Sequence, residues 1–154
     1  MIRSRPVTRP RYLVAIDFSP NSRRALLEAR AFARRSEATL TLVHVRPSSD
    51  VRAAVSEERG DLVRAGGRVL VSELAALYGE RLGSWASEAD GERTLLLRGS
   101  PEVALTREAA RGYSLLVMGR RGRNPVSALL LGSTAERVLA RATIPVMIVP
   151  RRRR

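Results

Sequence analysis

SLLVMGRRGRNPVSALLLGST, residues 114–134, decides how this chain is read. Its opening is apolar without alternation and runs straight into Gly119, as expected of a strand covered on both faces of a parallel sheet. Its close, Gly132-Ser133-Thr134, leads into a helical pattern that carries Val138 and Leu139. The same succession of strand and helix recurs on either side.

Upstream, YLVAI (12–16) ends at Asp17; Ser19 then reads as an N-cap with Pro20 at the first helical position. Ala25, Leu26, Ala29, Phe32 and Ala33 recur at helical spacing, giving a helix of about 16 residues. A second strand follows in ATLTLVHV (38–45), closed by Pro47, Ser48 and Ser49. From 50 to 89 the pattern is helical but interrupted: Leu62, Val63, Leu70, Leu74, Leu77 and Tyr78 share a face, and Gly60, Gly66 and Gly67 weaken the middle. Two helical pieces or one broken helix both fit, and Trp85 fits either a place over the core as the chain returns or one at the surface. TLLLR (94–98) is the third strand, followed by Gly99, a Ser100 cap, Pro101 and a helix closing near Gly112. Downstream, Ile144-Pro145 introduces the last strand, VMIV (146–149).

Strands alternating with helices of these lengths predict an α/β fold, a single Rossmann-like domain of the flavodoxin-like class. Its five-stranded parallel sheet has helices on both faces, because each parallel pair needs a right-handed crossover. The expected strand order is 3-2-1-4-5. Strands 1 and 4 are then neighbours at the switch point, and their carboxyl ends form the crevice where ligands bind. Asp17 and Gly119 fall at those two ends.

A chain of 154 residues suffices for one domain with a real core. The expected domain spans 11–150, with basic tails at 1–10 and 151–154. All 28 cations are arginine, against 15 acids, for a net charge of +13. Arg3, Arg5, Arg9, Arg11 and Arg151 to Arg154 concentrate that charge at the ends, which reads either as an arginine-biased composition with solvated ends or as a weak, non-specific hold on nucleic acid. Cysteine is absent, which excludes disulfides, thiolate metal sites and cysteine nucleophiles and points to the cytoplasm. The amino terminus lacks the apolar stretch of a secretory signal, and apolar runs such as VMIV fall far short of a membrane span. His44, the one histidine, sits in an apolar run and is expected in or near the core.

Gly119 and Gly122 let the backbone turn or approach a ligand closely, and a helix starting at Gly132 offers unpaired N–H groups and a positive dipole end to an anion. Ser133 to Glu136 also reads as a capping box, so Ser133 fits either role. With no lysine, the loop is not that of a standard P-loop NTPase or a protein kinase. A dinucleotide fingerprint would follow strand 1, not strand 4.

Gly119-x-x-Gly122, nine residues and Gly132-Ser133 resemble the G-x-x-G-(nine)-G-S/T motif of the ATP-binding branch of the universal stress protein family. The likeness extends over VAIDFSPNSRRAL, LTLVHV, GSPEVAL and IPVMIVP. It implies ATP as ligand, with Mg²⁺ carried by phosphates and water, and a homodimer through 146–149. Carried over, Asp17 with Ala15 and Ile16 faces the nucleoside end, Val45 contacts adenine through its backbone and Met118 lines the same pocket. Gly119, Gly122, Gly132, Ser133 and Thr134 surround ribose and phosphates. Arg120-Arg121 and Asn124-Pro125 depart from the family's usual small residues. The expected function is a cytoplasmic ATP-binding stress-response or regulatory protein that signals or recruits a protein partner. Hydrolysis is slow at most, because Glu136 is the nearby acid and the capping box engages it. A ligand-free dimeric scaffold and a weak nucleic-acid binder are the competing readings, and none of the three involves a membrane.

Overall fold

Val14 has Leu42 on one side and Val117 on the other, and all three side chains are fully buried. They mark the centre of a parallel sheet in a computed structural model that describes residues 8–46, 76–88, 90–120 and 131–150. The strands are β1 (Arg11–Ala15), β2 (Thr39–Arg46), β3 (Arg93–Arg98), β4 (Leu115–Gly119) and β5 (Val146–Val149). Their order, β3-β2-β1-β4-β5, is the expected one.

The helices are α1 (Pro20–Ser36), α2 (residues 76–83), α3 (Pro101–Ala109) and α4 (Ser133–Arg141). Strand residues alternate between two cores. Tyr12, Val14, Ile16, Leu40, Leu42 and Val117 pack under Ala25, Leu26, Ala29 and Ala33 of α1 and Leu82 of α2. Leu13, Val43, Val45, Leu116 and Met118 pack against Leu105 and Ala109 of α3 and Ala135 and Val138 of α4.

Local chemistry sets the helix ends. Ser19 Oγ accepts the Ser22 N–H and Pro20 occupies the first turn of α1, as the sequence predicts. α1 stops where Glu37 turns left-handed (φ 52) and returns its N–H to Ala33 O. Phe32 differs from its expected place on the buried face: it is 41% exposed, with its ring stacked 5.6 Å from Tyr12. Leu139 is likewise exposed while Val138 is buried. Trp85 packs on the α1 side of the core. Ser100 precedes α3 without a side-chain cap bond.

Arg11 belongs to the sheet rather than to a tail: its guanidinium lies 4.3 Å from the centre of the Tyr113 ring. Residues 1–7 and 151–154 and the helical pattern expected between 50 and 75 lie outside the described residues.

Candidate functional site at the carboxyl ends of β1 and β4

β1 and β4 are paired, Tyr12 with Leu115 through Val14 with Val117, so the chain leaves both strands at the same end of the sheet. On the β1 side the exit is a tight turn. Asp17 Oδ1 accepts the Ser19 N–H at 2.9 Å, and the Asp17 N–H is donated to Ser22 Oγ at 3.3 Å. The half-buried carboxylate is thereby fixed relative to the first turn of α1. Phe18, between them, has φ 63, a left-handed conformation that costs a non-glycine residue roughly 1–2 kcal/mol. Its ring is held by His44 (4.7 Å between centroids), Trp85 (5.6 Å) and Tyr78 (6.3 Å), with the Arg81 guanidinium 4.3 Å above it.

On the β4 side, Gly119 meets the start of α1. A Cβ at this position would stand 3.0–3.1 Å from the backbone of Asn21, so the glycine lets the two elements approach. The next residue continues the sheet, Arg120 N–H donating to Val149 O at 3.0 Å. Arg120 O then accepts the Gly132 N–H at 2.9 Å, which seats the start of α4 beside the end of β4.

The capping box is corrected here. Gly132, not Ser133, is the N-cap of α4 (φ −69, ψ 146), no side chain caps the helix, and Ser133 is its first residue. Glu136 N–H goes to Gly132 O, so Ser133 to Glu136 are one position too far into the helix for the reciprocal bonds of a box. The first-turn amides of Ser133, Thr134 and Ala135 have no intrahelical acceptors and carry the positive end of the helix dipole.

Ala15, Val45 and Met118 share the α3–α4 side of the sheet, the side to which Asp17 also alternates. Ile16 does not join them: its side chain is 3% exposed in the opposite core. Its backbone N–H is bonded to Val43 O at 2.8 Å, and its carbonyl oxygen lies 2.7 Å from His44 Nδ1. Ser133 is exposed and Gly132 and Thr134 are half-buried. Gly122, Arg121, Arg123, Asn124 and Pro125 lie outside the described residues. Sequence reasoning missed the roles of Asn21, His44 and Arg46, the last a buried residue closing β2 (2% exposed) whose carbonyl accepts the Gly99 N–H at 3.1 Å. A polar residue inside an apolar run was the available signal for His44, and one closing it the signal for Arg46. The assembled surface joins a carboxylate on one strand end to an uncapped helix start near the other, with an apolar floor between them.

Comparison with known proteins agrees with this architecture. The universal stress protein family model matches residues 9–150. The universal stress protein in QAH/OAS sulfhydrylase 3'region of Thermus aquaticus is 33% identical over 147 residues, covering 89% of this chain and 96% of that protein. Among solved structures, hypothetical protein MJ0577 aligns with a TM-score of 0.76 at 22% identity, covering 96% of this chain and all of that one. A universal stress protein solved in complex with cAMP aligns with a TM-score of 0.56 at 24% identity, covering 91% of this chain and 95% of that one.

Proposed function

The chain belongs to the universal stress protein family, and from that premise we propose that it is a cytoplasmic ATP-binding regulatory module that acts by nucleotide-dependent signalling or partner recruitment. The carrying observation is the Gly132–Arg120 bond, which sets the uncapped start of α4 at the carboxyl end of β4. Phosphate oxygens accept from exposed helix N-terminal amides and gain from the dipole. The base end of the nucleotide then falls toward Asp17, Ala15, Val45 and Met118, with Gly119, Gly132, Ser133 and Thr134 around ribose and phosphates; Gly122 belongs to the same motif in sequence. Backbone and hydroxyl donors replace the lysine that this chain lacks. Mg²⁺ is carried by the phosphates and water. A relative of this fold complexed with cAMP supports an adenine nucleotide as the ligand class.

Turnover is slow at most. Glu136 is exposed on α4, and Glu102 lies 3.7 Å from Arg137; neither is seated as a general base against an attacking water. The module is a homodimer through β5, an edge strand of the sheet, whose unpaired outer groups accept a second copy.

Mass spectrometry of nucleotide released from the purified, denatured protein tests the reading, together with ATP titration of wild type and Gly132→Val. Co-purified ATP, or binding that the substitution removes, supports it. No nucleotide and no binding at millimolar ATP with Mg²⁺ overturn it in favour of a ligand-free dimeric scaffold.

A further inference from the structure

We propose that His44 is a positioning residue: it captures the Ile16 carbonyl and so keeps the Val45 amide out of the sheet, as an open donor facing the crevice. The inference rests on the nucleotide reading above only for the identity of what that donor meets.

The argument starts from register. In a parallel ladder the bonds of successive alternate residues point to the same neighbour. Val43 O accepts the Ile16 N–H from the β1 side, whereas Arg46 O accepts the Gly99 N–H from the β3 side. Val43 and Val45 therefore present their backbone groups toward β1, and His44 and Arg46 present theirs toward β3. The next rung of the β1–β2 ladder would be Val45 N–H to Ile16 O. Among the described residues that rung is not made, and the oxygen has His44 Nδ1 at 2.7 Å instead. A carbonyl only accepts, so Nδ1 carries the proton and donates.

The imidazole is not at liberty to move away. It is 6% exposed, stacked on Tyr78 at 4.9 Å with 23° between planes, and tilted against Phe18 at 4.7 Å. Phe18 is itself in the left-handed region, the conformation that turns β1 away from β2 immediately after Ile16. One side chain thus ends the pairing of two strands at a defined residue. It acts from the face opposite to Val45, whose side chain lies in the α3–α4 core. The open Val45 N–H suits a hydrogen-bond acceptor on the edge of a planar heterocycle entering between the strand ends.

Amide hydrogen exchange resolved at Val45 tests this, in wild type, His44→Phe and His44→Asn, each without and with ATP and Mg²⁺. Phenylalanine keeps the ring stack and removes the donor; asparagine returns an N–H close to the Nδ1 position. Without ligand, the Val45 amide should exchange at least about 10-fold faster in wild type and His44→Asn than in His44→Phe, where the rung can close. ATP should then slow exchange in wild type and His44→Asn, and the affinity of His44→Phe should fall by about 10-fold or more while that of His44→Asn is retained. Equal Val45 exchange in ligand-free wild type and His44→Phe overturns the proposal. Should His44→Phe not fold, slow Val45 exchange in ligand-free wild type overturns it equally, and fast exchange there, matched by His44→Asn, supports it. If exchange differs as expected but no adenine nucleotide changes it, the positioning role stands and the nucleotide reading falls.

Discussion

Gly132 donates its N–H to Arg120 O at 2.9 Å, so the residue after β4 and the cap of α4 are neighbours although the whole glycine loop lies between them in sequence. The bond makes the helix start a fixture of the sheet edge. Gly132 itself has φ −69 and ψ 146, a conformation open to any residue, so a side chain placed there leaves the backbone unstrained. Gly132→Val should therefore melt within a few degrees of wild type. ATP affinity should nonetheless drop on the order of 10- to 100-fold, the equivalent of one or two charge-assisted hydrogen bonds, as read by calorimetric titration.

Gly119 behaves in the opposite way. It stands in the same motif, yet what its missing Cβ makes room for is the backbone of Asn21 at 3.0–3.1 Å. Backbone yields less readily than a side-chain tip. Gly119→Ala should destabilise the fold by about 1–3 kcal/mol, lowering the melting temperature by roughly 2–4 °C per kcal/mol for a chain of this size. An unchanged melting temperature would show that α1 is free to back away.

Much of the fold was legible because its signals are local. Ser19 and Pro20 fix the start of α1, and continuous apolar runs mark the β1, β2 and β4 strands, which are buried on both faces. The order of strands has no local signal: crossover geometry gives a parallel sheet with helices on both faces, and the order 3-2-1-4-5 was expected for a doubly wound fold and is the one observed. The neighbouring strand ends were legible, which puts Asp17 and Gly119 at the same end of the sheet. The site was misread where it depends on which of two adjacent residues caps a helix: Ser133 has the better capping side chain, but the bond from Gly132 to Arg120 O fixes the helix start one residue earlier. The family resemblance groups Ile16 with Ala15 and Asp17, whereas strand alternation sends its side chain to the other core. The imidazole of His44 on Ile16 O is a contact between residues 28 positions apart, and no local pattern encodes it.

Arg30 and Glu92 form the most buried ion pair among the described residues. The guanidinium grips Glu92 with Nε on Oε1 at 2.6 Å and Nη2 on Oε2 at 2.7 Å, and also donates to Trp85 O at 2.7 Å. Glu92 Oε2 further accepts the Ser87 N–H at 2.7 Å. The pair fastens the segment ahead of β3 to α1, beside the aromatic group that holds Phe18. Glu92→Gln leaves Arg30 without its counter-charge. Because the Arg30 side chain is 21% exposed and that of Glu92 1%, the cost should be about 2–3 kcal/mol, below the full range for a buried pair. Chemical denaturation measures it.

The hydrogen bond to Glu92 raises the Arg30 pKa above its ordinary value. For a cation with a raised folded-state pKa, the stabilisation is complete below the unfolded value and is lost only as pH rises through the folded one. The contribution of Arg30 should thus be flat from pH 6 to pH 9, about the range accessible to a melting series. A fall in the wild-type minus Glu92→Gln difference across that range would point to a different group.

The edge of the sheet gives the last test. Pro145 O accepts the Leu116 N–H and Val149 O accepts the Arg120 N–H, so the odd-numbered residues of β5 turn their backbone groups toward β4. By strand alternation Ile148 turns its N–H outward, where a second β5 would pair. Proline at 148 removes that outward donor and no rung of the β4–β5 ladder, a placement that edge strands tolerate. Ile148→Pro should therefore convert the proposed dimer to a folded monomer by light scattering, at a cost of about 1–3 kcal/mol for the lost Ile148 packing. Val149→Pro, which removes an inward donor, should unfold the edge of the domain. A dimer that survives Ile148→Pro with its mass unchanged would place the interface on another surface, because an edge lacking that donor cannot complete a continuous ladder with a second copy.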